Sequence, residues 1–259
     1  MYELIDKMSE LMPGFMLVFF RIVSMLMVLP IFGYQSVPQR LRFFIGFVLA
    51  IVVFPTVNQS VDINSVESLI INISREVFIG LIVGFGARLI FEAFYMAGGF
   101  IGRQMALGLA NVMDPTSHQQ LPIISNFWLI VVMAFVFAVN AHYYFVALLA
   151  ENFKAVPLGL GSLSPRLGRH MIEGGSILYR IGVGFAAPAM VFLLLVDIAI
   201  SFMARVMPRM NVFFVTLPLK IFTGIVVLII SLSIFQVIFD SFFSQMVDYV
   251  NTILIFLRG

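Results

Sequence analysis

Arg21, Arg75, Glu76, Arg88, Glu92, Asp197 and Lys220 each stand within, or at the end of, a long run of apolar residues. A charge in such surroundings costs several kcal/mol unless a partner or water meets it, so these are the positions where ion or proton chemistry would sit. Arg88 and Glu92 are four apart, the spacing at which side chains meet on one helical face. They read either as an internal ion pair or as the lining of a water-filled path. Asp197 and Lys220 are related by a turn instead. Met207–Asn211 reads as the turn of a helical hairpin, and Asp197 precedes its centre by about as many residues as Lys220 follows it. At about 1.5 Å of rise per residue both fall roughly 17 Å from the turn, which predicts an ion pair that pins the register of two antiparallel helices. Two effects oppose that reading: Lys220 can snorkel towards an interface, and Pro218 can rotate its helix away.

Other chemistries find no support. The histidines, His118, His142 and His170, fall in different connections or spans, and no H-E-x-x-H pair, G-x-S-x-G elbow, P-loop or paired intramembrane aspartate appears. With no cysteine, disulfides, thiolate catalysis and Cys-ligated metals are excluded. No enzyme, cofactor or metal is expected. The basic residues number 15 against 13 acidic ones and are spread along the chain, so no nucleic-acid-binding patch forms. The 16 methionines show no single stripe and read as core packing.

The elements that must carry these residues are apolar helices. The 259 residues are 61% hydrophobic and 11% charged, with a mean hydropathy of +1.08, whereas a soluble domain carries roughly 25% charged residues. A globule of this size cannot hide that much apolar surface, so lipid or other apolar subunits must cover it. Runs near the ~20 residues a helix needs to cross a bilayer are Leu11–Phe32, Leu41–Val57, Leu69–Ala97, Ile123–Ala150, Ile177–Ala204 and Val212–Phe239. Phe242–Leu257 is either a continuation of the last or a short helix of its own. Turn-forming residues separate the runs at 33–38, 55–68, 114–122, 157–165 and 207–211. The expected fold is all-α and integral to the membrane, about six long apolar helices with interrupted segments, in one membrane domain spanning 1–259.

Small residues recur at Gly80/Gly84 and Gly98/Gly102, a spacing that lets helix backbones approach closely, so these glycines are candidates for subunit packing. Gly98–Pro122 as a whole reads as a non-helical piece at membrane depth, which survives only inside protein or beside a water-filled cavity. Its polar, proline-containing centre is a candidate channel plug over 107–121, with Leu107, Gly108, Asn111, Met113, Asp114, Pro115 and His118 as its residues. Lys and Arg nearly balance across the assumed spans, with Arg40, Arg42, Arg103, Arg205 and Arg209 on one side and Lys7, Lys154, Arg166, Arg169 and Arg258 on the other. The acids lean the reading towards an N-terminus outside. Glu3, Asp6 and Glu10 have the wrong sign for a signal-peptide n-region, so the mature chain is expected to start at Met1.

Longer motifs carry a resemblance. F-F-R-I-V-S-M-L-M-V-L-P-I-F-G from Phe19 to Gly33, followed by Val37-Pro38, resembles the opening of the FliR family and of its virulence-secretion relatives, the SctT proteins. Glu76, Gly80, Gly84, A-G-G-F-I-G-R-Q-M at Ala97–Met105, Asp114-Pro115 and Asn140-Ala141-His142 continue it in order. P-R-M-N-V-F-F-V-T-L-P-L-K, Pro208 to Lys220, resembles the family's PQxNxFxxxxPLK signature, with Arg209 where Gln is usual. Arg21, Pro30, Glu76, Pro208, Asn211, Phe213, Pro218, Leu219 and Lys220 are the signature positions.

The resemblance implies a structural subunit of the type III export gate of the bacterial flagellum. It would sit in the inner membrane at the basal body, joining FliP and FliQ, with FlhB and FlhA, around a channel for unfolded flagellar proteins. A secondary transporter using Arg88, Glu92, Asp197 and Lys220 is the alternative. It calls for an inverted repeat, and none is visible in the sequence.

Overall fold

A computed structural model describes residues 2–29, 37–57, 65–107, 122–208 and 211–258, without the side chains of 2–10 and Phe213. Every regular element among them is helical. These are α1 (Tyr2–Val28), α2 (Gln39–Val53) closed by the 3₁₀ turn Phe54–Thr56, α3 (Val66–Gln104), α4 (Ile123–Ala138), α5 (His142–Ala155), α6 (Pro165–Val206) and α7 (Val212–Arg258). Five are long and apolar enough to cross a membrane, or six if α4 and α5 count as one broken span. The chain is an all-α integral membrane protein.

Local chemistry sets several helix ends. Before α3, Ser65 and Ser68 cap each other: Ser68 N–H donates to Ser65 Oγ at 3.2 Å, and Ser65 N–H to Ser68 Oγ at 3.3 Å. Ser164 accepts the Leu167 N–H at 3.3 Å ahead of Pro165, whose missing N–H costs nothing at the first helical position. At the far end of α3, Ala106 N–H donates to Arg103 O (3.0 Å) and Leu107 N–H to Gly102 O (3.2 Å). That is the Schellman pattern, closed by Ala106 at φ 60° rather than by a glycine.

Several sequence expectations change. Gly98–Gln104 is helical, the last turns of α3 and not the start of a non-helical piece. There α4 covers Gly98 so closely that only glycine fits. Ile123–Ala150 is broken at Val139–Ala141, where Asn140 takes φ 59°. Asn tolerates that left-handed conformation better than most residues. Phe242–Leu257 continues α7 without a break, and α6 begins at Pro165, well before Ile177.

The chain forms two compact units. Unit 1 holds 1–89, 136–175 and 245–259; unit 2 holds 90–135 and 176–244. In unit 1 the buried stripe of α1, including Leu17, Val18, Ile22, Met25 and Leu26, packs against neighbouring helices. Phe15 meets Phe47 of α2 and Phe54 edge-on, each at 5.7 Å between centroids. In unit 2 an aromatic cluster fills the centre around fully buried Trp128, with Phe185 at 4.6 Å and 87° and Phe235 at 5.6 Å. Phe94 joins it against Phe185 (5.0 Å) and Phe235 (5.2 Å), in the edge-to-face geometry that aromatic quadrupoles favour. Large apolar side chains also point outward on both: Phe44, Val52 and Tyr143 from unit 1, and Phe202, Phe214, Phe222 and Val237 from unit 2.

Candidate functional site

The deepest polar group of unit 1 is a buried ion pair. Arg21 on α1 and Glu76 on α3 are both fully buried, and Arg21 Nε donates to Glu76 Oε2. Neither charge could be tolerated there alone. The pair is also hydrogen-bonded to the end of α5 and to the Pro157–Ser164 strap that joins α5 to α6. Arg21 Nη1 donates to the Val156 carbonyl (2.7 Å) and to Asn152 Oδ1 (3.2 Å), while Gly159 N–H donates to Glu76 Oε1 (2.8 Å). Asn152 in turn donates to the Leu148 and Leu149 carbonyls, each at 2.8 Å. The guanidinium carbon lies 4.5 Å from the centre of the Phe153 ring. Gly159 takes φ 73°, a turn that needs glycine, and Ser162 N–H donates to the Leu257 carbonyl at 2.8 Å. Glu76 thus clamps the strap to α3 through Gly159, while Arg21 ties α1 to the end of α5.

Unit 2 has a second, shallower cluster. Lys220 Nζ on α7 lies 2.6 Å from Asp197 Oδ1 on α6, and the two side chains are 14% and 32% exposed. Gln104, the last residue of α3, donates from Nε2 to Asp197 Oδ2 at 3.2 Å, so one carboxylate ties three helices. Next to it, buried Met105 covers Gly224 of α7, where an added Cβ would overlap the methionine side chain. Arg88 and Glu92 lie on α3, Arg88 exposed and Glu92 half-buried.

The glycines singled out for packing face helices of the same chain. A Cβ on Gly80 would overlap Ser24 Oγ and lie 2.5 Å from the Arg21 carbonyl; on Gly84 it would lie 3.0 Å from the Met25 carbonyl. On Gly98 it would stand 2.6 Å from the Ile124 carbonyl and from Ser125 Cα, whereas on Gly102 it would meet the Ile124 side chain at 3.3 Å.

Of the plug candidates, Leu107 lies in the turn after α3. Gly108, Asn111, Met113, Asp114, Pro115 and His118 fall outside the described residues. Of the signature positions, Pro30 and the Phe213 side chain also fall outside them. Pro208 lies in the turn before α7, and Asn211 is exposed just ahead of that helix, its carbonyl accepting Phe214 N–H at 3.2 Å. Pro218 and Leu219 are exposed on α7. His142 stacks near Phe137 and Tyr143; His170 stacks on Tyr249 at 4.4 Å, with Glu173 3.4 Å from its Nδ1. Among the described residues no three His, Asp or Glu side chains gather as a metal site would require.

Sequence reasoning named Arg21 and Glu76 separately and missed that they pair; it gave Asn152, Gly159 and Gln104 no role of their own. The available signal was a lone arginine in the first apolar run and a glutamate within the third, followed downstream by a Gly- and Pro-rich connection able to offer backbone groups.

Residues 12–246 match the family described as Bacterial export proteins, family 1. The chain is 30% identical to the flagellar biosynthetic protein FliR of Bacillus subtilis (strain 168) over 254 residues, 96% of this chain and 97% of that one. It is 27% identical to the protein of the same name from Aquifex aeolicus (strain VF5), covering 93% and 94% of the two chains. To that of Escherichia coli (strain K12) it is 26% identical, covering 79% and 78%.

Proposed function

The chain belongs to the bacterial export proteins, family 1, and from that premise we propose that it is a structural subunit, and not an enzyme, of the flagellar protein export apparatus. In this reading it forms, with FliP and FliQ and beside FlhB and FlhA, the gate through which unfolded flagellar proteins leave the cell. It sits at the bacterial inner membrane in the flagellar basal body, and the whole of 1–259 acts as one export-gate domain. The observation that carries the reading is the end-to-end match to flagellar biosynthetic FliR proteins, 96% of this chain against 97% of the Bacillus relative. The outward-facing side chains of α2, α6 and α7 support it: Phe44, Phe202, Phe214 and Phe222 are each more than half exposed, and apolar surface that the chain leaves uncovered calls for lipid or apolar partners. The 107–121 segment is assigned the part of a plug, on the composition argued above.

Expression of the chain alone and together with FliP and FliQ tests this. The expected result is heterogeneous, aggregating material alone and a stable co-purifying complex with both partners, together with restored motility in a strain lacking its own FliR. A monodisperse, stable chain that ignores FliP and FliQ and fails to restore motility would overturn the reading.

A further inference from the structure

Unit 1 carries a cation that no carboxylate among the described residues meets. Glu76 is committed to Arg21 and to the Gly159 N–H. Arg75, the preceding residue of α3, is half-buried, donates from Nη1 to the Gly159 carbonyl at 2.5 Å, and has no carboxylate partner among the described residues. Its helix is a 39-residue apolar span, where a lone charge is costly. Arg75 lines an open recess of about 440 Å³ together with Gly159, Leu160, Gly161, Ser162 and Leu163. Leu160 and Leu163 stand at this recess 71% and 56% exposed, although the backbone carrying them is held at Gly159 and Ser162 by hydrogen bonds.

We propose that this recess is a docking surface for a segment of another export-apparatus subunit bearing a carboxylate beside an apolar side chain. The proposal rests on the reading of the chain as a subunit of that apparatus. The carboxylate meets Arg75, whose planar fork donates paired hydrogen bonds to carboxylates; the apolar side chain packs on Leu160 and Leu163. Because the strap is already fixed by the folded unit, docking orders little new backbone, which is the condition for a small surface to bind well. A recess lined by a single guanidinium and two leucines suits one acidic side chain, whereas anionic lipid surfaces are recognised by clusters of basic residues.

Photo-cross-linking in cells with the complete apparatus tests it, with p-benzoylphenylalanine replacing Leu160 or Leu163. The expected result is an adduct with one apparatus protein whose yield falls at least about tenfold with Arg75→Glu, the loss that ~1.4 kcal/mol produces, and is retained with Arg75→Lys. Should Arg75→Glu fail to accumulate, Arg75→Gln provides the same comparison. An adduct of equal yield in the charge variants overturns the proposal. So do adducts confined to lipid, or none at all, in a chain that still co-purifies with FliP and FliQ; those outcomes leave the export reading standing. Failure of the unmodified chain to co-purify removes the export reading and the docking surface with it.

Discussion

At the scale of single residues, burial decides how much each charge matters. Arg21 and Glu76 are fully buried, and removing one partner of such a pair leaves a bare charge worth about 3–5 kcal/mol of destabilisation. Glu76→Ala is therefore expected to reduce accumulation of the folded chain sharply. Glu76→Gln should be milder, since it keeps an acceptor for the Gly159 N–H. Comparing folded yield and thermal aggregation temperature of the two variants checks the order, and equal damage would contradict it. Asp197 is 32% exposed, so water screens part of its interaction with Lys220 and the single changes Asp197→Lys or Lys220→Asp should cost less, about 1–3 kcal/mol for the group left unpaired. The double exchange should recover assembly relative to either single. Full recovery is not expected, because a lysine at 197 cannot accept from Gln104. A double variant no better than the worse single would remove the ion pair as the register device.

At the scale of elements, close approach of backbones sets the tolerance of each glycine. Gly98→Ala drives a methyl group into the Ile124 and Ser125 backbone, which cannot move without moving α4, whereas Gly102→Ala meets a side chain that can shift. The first is expected to cost about 1–3 kcal/mol and the second markedly less, read as an ordered loss of thermal stability in the purified complex. Ala106 runs the other way. It closes α3 at φ 60°, a conformation that costs an L-residue with a Cβ about 1 kcal/mol and glycine almost nothing, so Ala106→Gly should raise stability by about that amount; a loss would mean the methyl group has a packing role. If the 107–121 segment has the proposed role of a plug, deleting it is expected to raise leakage of small ions through the assembled gate without abolishing assembly. Unchanged leakage in an assembled deletion variant would make the segment an ordinary loop.

At the scale of the whole molecule, the difficulty is apolar surface. Long helices in each unit turn large side chains outward, Val52 and Tyr143 in unit 1, Val237 and Phe214 in unit 2, and no rearrangement of a chain that is 61% hydrophobic could bury them all. Stability is therefore expected to depend on what surrounds the chain. The near balance of Lys and Arg across the spans deprives the positive-inside rule of its usual force. Orientation is open to direct test because the sequence contains no cysteine: with the N-terminus outside, Arg166→Cys should react with a membrane-impermeant thiol reagent applied from outside, and Arg205→Cys should not. Reversed labelling would invert the topology.

Composition and run length were enough to establish an all-α membrane protein, since any spanning helix must be long, apolar and internally hydrogen-bonded. Ordered motifs from Phe19 to Lys220 were enough for the family. Counting across the Met207–Asn211 turn set Asp197 level with Lys220, because helical rise per residue is nearly constant. The pairing of Arg21 with Glu76, 55 residues apart, was beyond such counting: it depends on how far each helix is rotated about its axis, and packing decides that. So were the clamp on Gly159, the break at Asn140, the helical turns of Gly98–Gln104 and the unbroken run of α7 to Arg258. In each case local residues permit more than one backbone path; at Gly159 the fold adds a hydrogen bond to Glu76 and at Gly98 the close backbone of α4, neither of which is written in the neighbouring sequence.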